Sequence, residues 1–298
     1  MTVVSGDRGA VYDRGYRPYE GPRGLRGAAT FALFKASIRR ALGIRRSWRQ
    51  KIPPFVLLGV VTIPAVVNVG IGYVTRDRID KLEIITYRDY VGVSSALLLF
   101  VALVAPDVMC PDRRQRVLPL MFARPLTGVD YVFAKVGAIA SILFAFSFLP
   151  QVVLFLGNML VSDSASDYFT GHLDVLWRVP VSVLILALYY AVIGVAIGSL
   201  TDRRIVAGAG VIGLLLVTSI SSGILVGDFR PGHGSAAALI NVWRLPLFLR
   251  DLVFLGHLDR GSPLGGVHHA GLLAVVTYLV ILLVAVGVLL RRYRWVER

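Results

Sequence analysis

The chain has 298 residues and one cysteine, Cys110, so no intrachain disulfide can form. Lysine is nearly missing too; Lys35, Lys51, Lys81 and Lys135 are the only four, and every other basic residue is arginine. Met1 to Lys51 is polar, Gly-rich and basic where a secretory signal would carry an apolar core, so no signal peptide is expected. The sequence contains no GxxxxGK[ST] loop to cradle nucleotide phosphates. HExxH is absent, as is a serine paired with a histidine inside an apolar run, which argues against a membrane protease. His172, His233, His257, His268 and His269 all fall between apolar runs, where they cannot relay protons through a membrane. The adjacent pair His268 and His269 has poor geometry for a single metal ion. No catalytic group, metal ligand or cofactor is therefore assigned to this chain.

What the sequence has in excess is apolar length. Hydrophobic residues make up 56% of it and the mean hydropathy is +0.70. These residues gather into runs of about 20, enough to cross a hydrocarbon core about 30 Å thick. The net charge of +14 raises nucleic acid as a partner. The basic residues, however, sit at the ends of apolar runs, where topology and anionic headgroups select them, so nucleic-acid binding is not expected.

In chain order, residues 1–23 lack apolar periodicity. From Leu25 to Gln50, Phe31, Phe34, Ile38 and Leu42 recur at helical spacing, flanked by Lys35, Arg39, Arg40, Arg45, Arg46 and Arg49. This pattern predicts a basic amphipathic helix lying in the membrane interface. Pro53 and Pro54 are expected to end it. Spans are then predicted at residues 55–73, 91–105, 132–156, 179–200, 205–226 and 272–290. Gly194 and Gly198 in the fourth have the spacing that lets helices approach closely. Thr218 to Ser222, TSISS, are expected to bond back to their own helix. The Tyr189-Tyr190 pair is read as packing. Residues 236–255 are apolar but hold Arg244, Pro246, Arg250 and Asp251. A crossing there would strand charges at mid-membrane, so an interfacial or re-entrant helix pair is expected instead.

The fold class expected is therefore an all-α membrane protein. It has six transmembrane helices preceded by an N-terminal amphipathic interfacial helix, with the short helix pair in the outer loop before the last span. Residues 1–51 form the tail and interfacial helix, and 52–298 the six-helix domain. About two thirds of the 32 basic residues then fall on one side, which the positive-inside rule makes cytosolic together with both termini. The expected location is the cytoplasmic (inner) membrane.

Between the second and third spans, Pro106 to Lys135 reads PDVMCPDRRQRVLPLMFARPLTGVDYVFAK. It reads as a basic, proline-punctuated loop. Asp112-Arg113, Leu118 and Leu120, Arg124-Pro125, Tyr131 and Lys135 together resemble the permease subunits of type-2 ATP-binding cassette exporters. YRPYEGPRG, Tyr16 to Gly24, resembles a segment preceding the first span in that family, whose interfacial helix is termed the elbow helix. The resemblance implies the membrane half of an exporter, a dimer with an identical or similar permease, driven by a separate ATPase that holds ATP and Mg. It implies that Asp112, Arg113, Arg114, Arg116, Leu118, Leu120, Arg124 and Pro125 make the main ATPase contact through a short coupling helix, which Pro119 should shorten. Asp202, Arg203 and Arg204 would make the second contact, while Tyr131 and Lys135 belong to a structural motif opening span three. Membrane lipid is the remaining partner, and the substrate is left open. A transport-independent scaffold or signal-transmitting subunit is the alternative reading.

Overall fold

A computed structural model describes residues 26–44, 48–75, 86–91, 94–122, 126–227, 234–259 and 261–297. Among them every regular element is helical. The helices are α1 (Arg26–Ala41), α2 (Trp48–Thr75), α3 (Tyr87–Val91), α4 (Ser94–Arg114), α5 (Leu118–Phe122) and α6 (Gly128–Val161). There follow α7 (Ala165–Gly171), α8 (Leu173–Leu200), α9 (Arg204–Val226), a 3₁₀ turn (Ala236–Ile240), α10 (Leu245–Leu255) and α11 (Ala270–Glu297). Five of these, α2, α6, α8, α9 and α11, are long and apolar enough to cross a membrane.

Burial orders the bundle. α8 lies at its centre, packed by α4, α6, α9, α10 and α11, and Leu186, Tyr189 and Val195 are wholly enclosed. α2, α9 and α11 are peripheral and turn Val60, Val66, Val217, Ile224, Leu283 and Val284 outward. In water such faces would drive association; a hydrocarbon solvent makes them the stable arrangement. The sum is a multi-pass membrane protein.

Helix contacts follow the small residues. A Cβ on Gly194 would meet the Val101 side chain at 2.5 Å, so α4 and α8 approach there as the spacing predicts. Gly208 of α9 comes closer to backbone: its Cβ would lie 2.8 Å from the carbonyl of Ala102. That carbonyl sits four residues before Pro106, which has no N–H to donate to it, so the freed acceptor faces a glycine.

Several expected boundaries move. The interfacial segment ends not at Pro53-Pro54 but at Ala41, where Gly43 turns with φ 66°, and α2 runs through both prolines. Pro106 to Arg114, read as loop, instead completes α4. Pro106 and Pro111 each remove one donor without stopping it, as apolar membrane helices tolerate. α8 begins at Leu173 rather than at residue 179, so Asp174 and Arg178 form an i,i+4 pair at 2.7 Å within it. Residues 236–255 form the 3₁₀ turn and the 11-residue α10, both too short to cross. Buried Arg250 and Asp251 of α10 pair at 2.7 Å, and Arg88 of α3 joins them 3.0 Å from Asp251. Arg88 also reaches Asp259 at 3.2 Å. The Gly261 amide and then Arg88 hold the Asp259 carboxyl below its usual range.

Candidate functional site

The site is built where α4 ends and α6 begins. α6 starts on a capping box: the Thr127 hydroxyl accepts from the Asp130 amide, and the Asp130 carboxylate accepts from the Thr127 amide at 3.0 Å. This fixes the first turns of α6 and aims Tyr131 and Lys135, four residues apart, at the same neighbour. That neighbour is Asp112, two residues before the end of α4. The Lys135 ammonium lies 2.6 Å from Asp112 Oδ2, and the Tyr131 hydroxyl donates to the same oxygen at 3.0 Å. Arg40, from the last turn of α1, pairs with Oδ1. Lys135 donates as well to the carbonyl of Val108 at 3.1 Å, and Tyr131 packs on Tyr293 of α11 with ring centres 4.8 Å apart.

Asp112 is 0% exposed and Lys135 1%. A lone carboxylate there would carry a desolvation cost of several kcal/mol, so its charge persists only because three donors face it. The knot ties four helices. α1 is pinned at its other end too, where the Arg26 guanidinium reaches Asp130 at 2.6 Å and the Thr127 hydroxyl at 2.8 Å.

Arg113 turns the opposite way and donates to the carbonyl of Ser199 near the C-terminus of α8, where a cation is favoured. Cys110 Sγ lies 3.6 Å from the carbonyl of Thr201, and Arg204 pairs with Asp107. These contacts bring two chain reversals side by side. In the first, α4 closes with the paired bonds Val117 N to Asp112 O (3.2 Å) and Arg116 N to Arg113 O (3.0 Å). Arg116 occupies the left-handed position at φ 52°, where glycine is the usual residue. Arg114, Gln115, Arg116 and Pro119 are exposed, and Leu120 of the five-residue α5 is 71% exposed. In the second reversal Asp202, Arg203 and Arg204 are exposed and Ile205 is 86% so.

The sequence-predicted residues therefore separate into two groups. Asp112 is fully inside, and Arg113 and Leu118 are largely covered, so the expected surface loop is in part the lock beneath that surface. Tyr131 and Lys135 belong to the lock. Arg114, Arg116, Leu120, Asp202, Arg203 and Arg204 form the outward face. Arg124 and Pro125 lie outside the described residues. Sequence reasoning missed Arg40, Asp107, Asp130 and Tyr293. The Thr127-x-x-Asp130 cap was visible as a helix-start signal; the other three contacts join segments dozens of residues apart and leave no local trace.

The site holds a buried carboxylate against three donors. No protein-family model matches the chain, and no curated protein matches it.

Proposed function

We propose that this chain is the membrane-spanning permease of an ATP-driven exporter of the type-2 class, with the energy supplied by a separate ATPase chain. The observation that carries the reading is the Asp112 lock lying directly beneath two exposed basic reversals. A partner pushing on α5 or on residues 202–205 would load α1, α4, α6 and α11 together through one buried group. Three of the motif residues that resemble the family, Asp112, Tyr131 and Lys135, make this lock with Arg40.

In this reading α4 is a sixth span, so the chain crosses six times with both termini in the cytosol and α1 is the elbow helix. The 3₁₀ turn and α10 lie in the outer interface. Two such permeases, identical or similar, pair in the cytoplasmic membrane. ATP and Mg belong to the partner, and this chain hydrolyses nothing itself.

The test is to purify the chain with and without the ATPase encoded beside it. The expected result is a stable complex that hydrolyses ATP, with no turnover from this chain alone. Robust hydrolysis by the lone chain, or failure of every neighbouring ATPase to bind it, would refute the proposal.

A further inference from the structure

A recess of about 630 Å³ opens at the end of α9 remote from the Asp112 lock. Pockets that hold small ligands span roughly 300–1,000 Å³. Its walls come from the last turns of α9, the 3₁₀ turn region and the start of α10. Two kinds of surface meet there. Val226, Leu247 and Phe248 make an apolar wall, while Ser219, Asn241 and Arg244 supply polar groups. Asn241 is buried and committed: its Nδ2 donates to Ser219 Oγ at 3.3 Å and its Oδ1 accepts from the Arg244 amide at 3.0 Å. Among the described residues the Ser219 hydroxyl proton has no acceptor and the Arg244 guanidinium has no carboxylate partner.

The first turn of α10 adds little, because the Leu245 and Leu247 amides already donate to the carbonyls of Asn241 and Arg244 and Pro246 has none. The attraction for an anion thus comes from the Arg244 side chain with Ser219 beside it. α9 has 23 residues and so spans roughly 34 Å, which places its final turns at the boundary between hydrocarbon and headgroups. A site at that depth, with one cation above an apolar wall, matches a molecule with an anionic head and a hydrocarbon body.

We propose that this recess binds one anionic lipid, the headgroup phosphate on Arg244 and Ser219 and the glycerol end of the chains against Val226, Leu247 and Phe248. The site is independent of the transport reading and stands or falls on lipid binding alone.

Trp243, which also lines the recess, provides the readout. A chain whose only tryptophan is Trp243 (Trp48→Phe, Trp177→Phe and Trp295→Phe) is reconstituted in phosphatidylcholine vesicles carrying increasing bromine-labelled phosphatidylglycerol. Its fluorescence should be quenched saturably, and labelled phosphatidylcholine should need about tenfold more for the same effect, as loss of a charge-assisted hydrogen bond implies. Arg244→Gln should abolish that preference and Arg244→Lys retain it. Gly223→Leu gives a second arm, since a Cβ on Gly223 meets nothing within 4 Å and the added side chain fills the recess. It should remove saturable quenching by both lipids and leave the melting temperature unchanged. Equal quenching by the two lipids, a preference that survives Arg244→Gln, or saturable quenching unaffected by Gly223→Leu would each overturn the proposal. Protection from quenching by inorganic phosphate alone at millimolar concentration would also overturn it, since the ligand would then be a free anion.

Discussion

Asp112 and Arg116 stand four residues apart and do opposite things with charge. Asp112 is buried against Lys135, Tyr131 and Arg40. Removing one member of a buried pair strands the other, at about 3–5 kcal/mol, whereas replacing both with apolar residues is often close to neutral. Lys135→Met should therefore destabilise the protein by about that amount in equilibrium unfolding from mixed micelles. Asp112→Leu with Lys135→Met should recover most of the loss, since Arg40 is partly exposed and can reach water. Additive losses in the double variant would mean that the pair is not the stabilising unit. Arg116 instead sits in left-handed backbone at the surface, at a cost of roughly 1 kcal/mol. Arg116→Gly should raise stability by about 0.5–1 kcal/mol and, if the reversals dock onto an ATPase as proposed, weaken that binding, the signature of a strained residue kept for contact. A gain in stability with unchanged ATPase affinity would assign Arg116 no role in docking.

Among the helices, α4 against α9 gives the sharpest test. Gly208→Ala would push a methyl against the Ala102 carbonyl, which as backbone cannot move aside, and should cost about 1–3 kcal/mol. Gly213→Ala, on the same helix with open space around its Cβ, should be neutral or slightly stabilising. Equal effects in thermal melts would contradict the packing of α4 on α9. The two glycines look alike in the sequence, and this marks the limit of what was legible there. Apolar runs located α2, α6, α8, α9 and α11, because length and hydropathy are local properties. The small-residue spacing in α8 marked a close helix approach for the same reason, but not that α4 makes it, because the partner is set by tertiary packing. Proline misled twice: at Pro53-Pro54 and at Pro106 the helix continues, since a lost donor stops an apolar membrane helix less readily than the local proline rule implies. The TSISS segment divided. Thr218 bonds back to Leu214 at 2.9 Å, whereas Ser222 donates across to the carbonyl of Ala237 at 3.2 Å. The lock was read only as a motif, and its burial depended on Arg40, 72 residues before Asp112.

The whole molecule carries its positive charge unevenly, and the end that bears the lock also bears the two exposed reversals. Arg114 and Arg203 both project there, one from each reversal, without entering the bundle. Two explanations compete for them: contact with an ATPase, or attraction to anionic headgroups at about 1 kcal/mol per charge. Arg114→Glu with Arg203→Glu separates the two. Neither residue holds the fold, so insertion and the melting temperature should stay near those of the parent. If the reversals dock onto an ATPase, reversing both charges should lower its affinity at least about 30-fold, the loss expected when interfacial charge pairs of about 2–5 kcal/mol are broken. The ATPase should then be lost on purification. Arg113→Glu is the contrasting case: its guanidinium donates to the Ser199 carbonyl, so a carboxylate there would face an acceptor and should lower stability before it affects docking. Retention of the ATPase by the Arg114 and Arg203 double variant, with weaker binding to anionic vesicles, would assign this end of the molecule to the lipid surface.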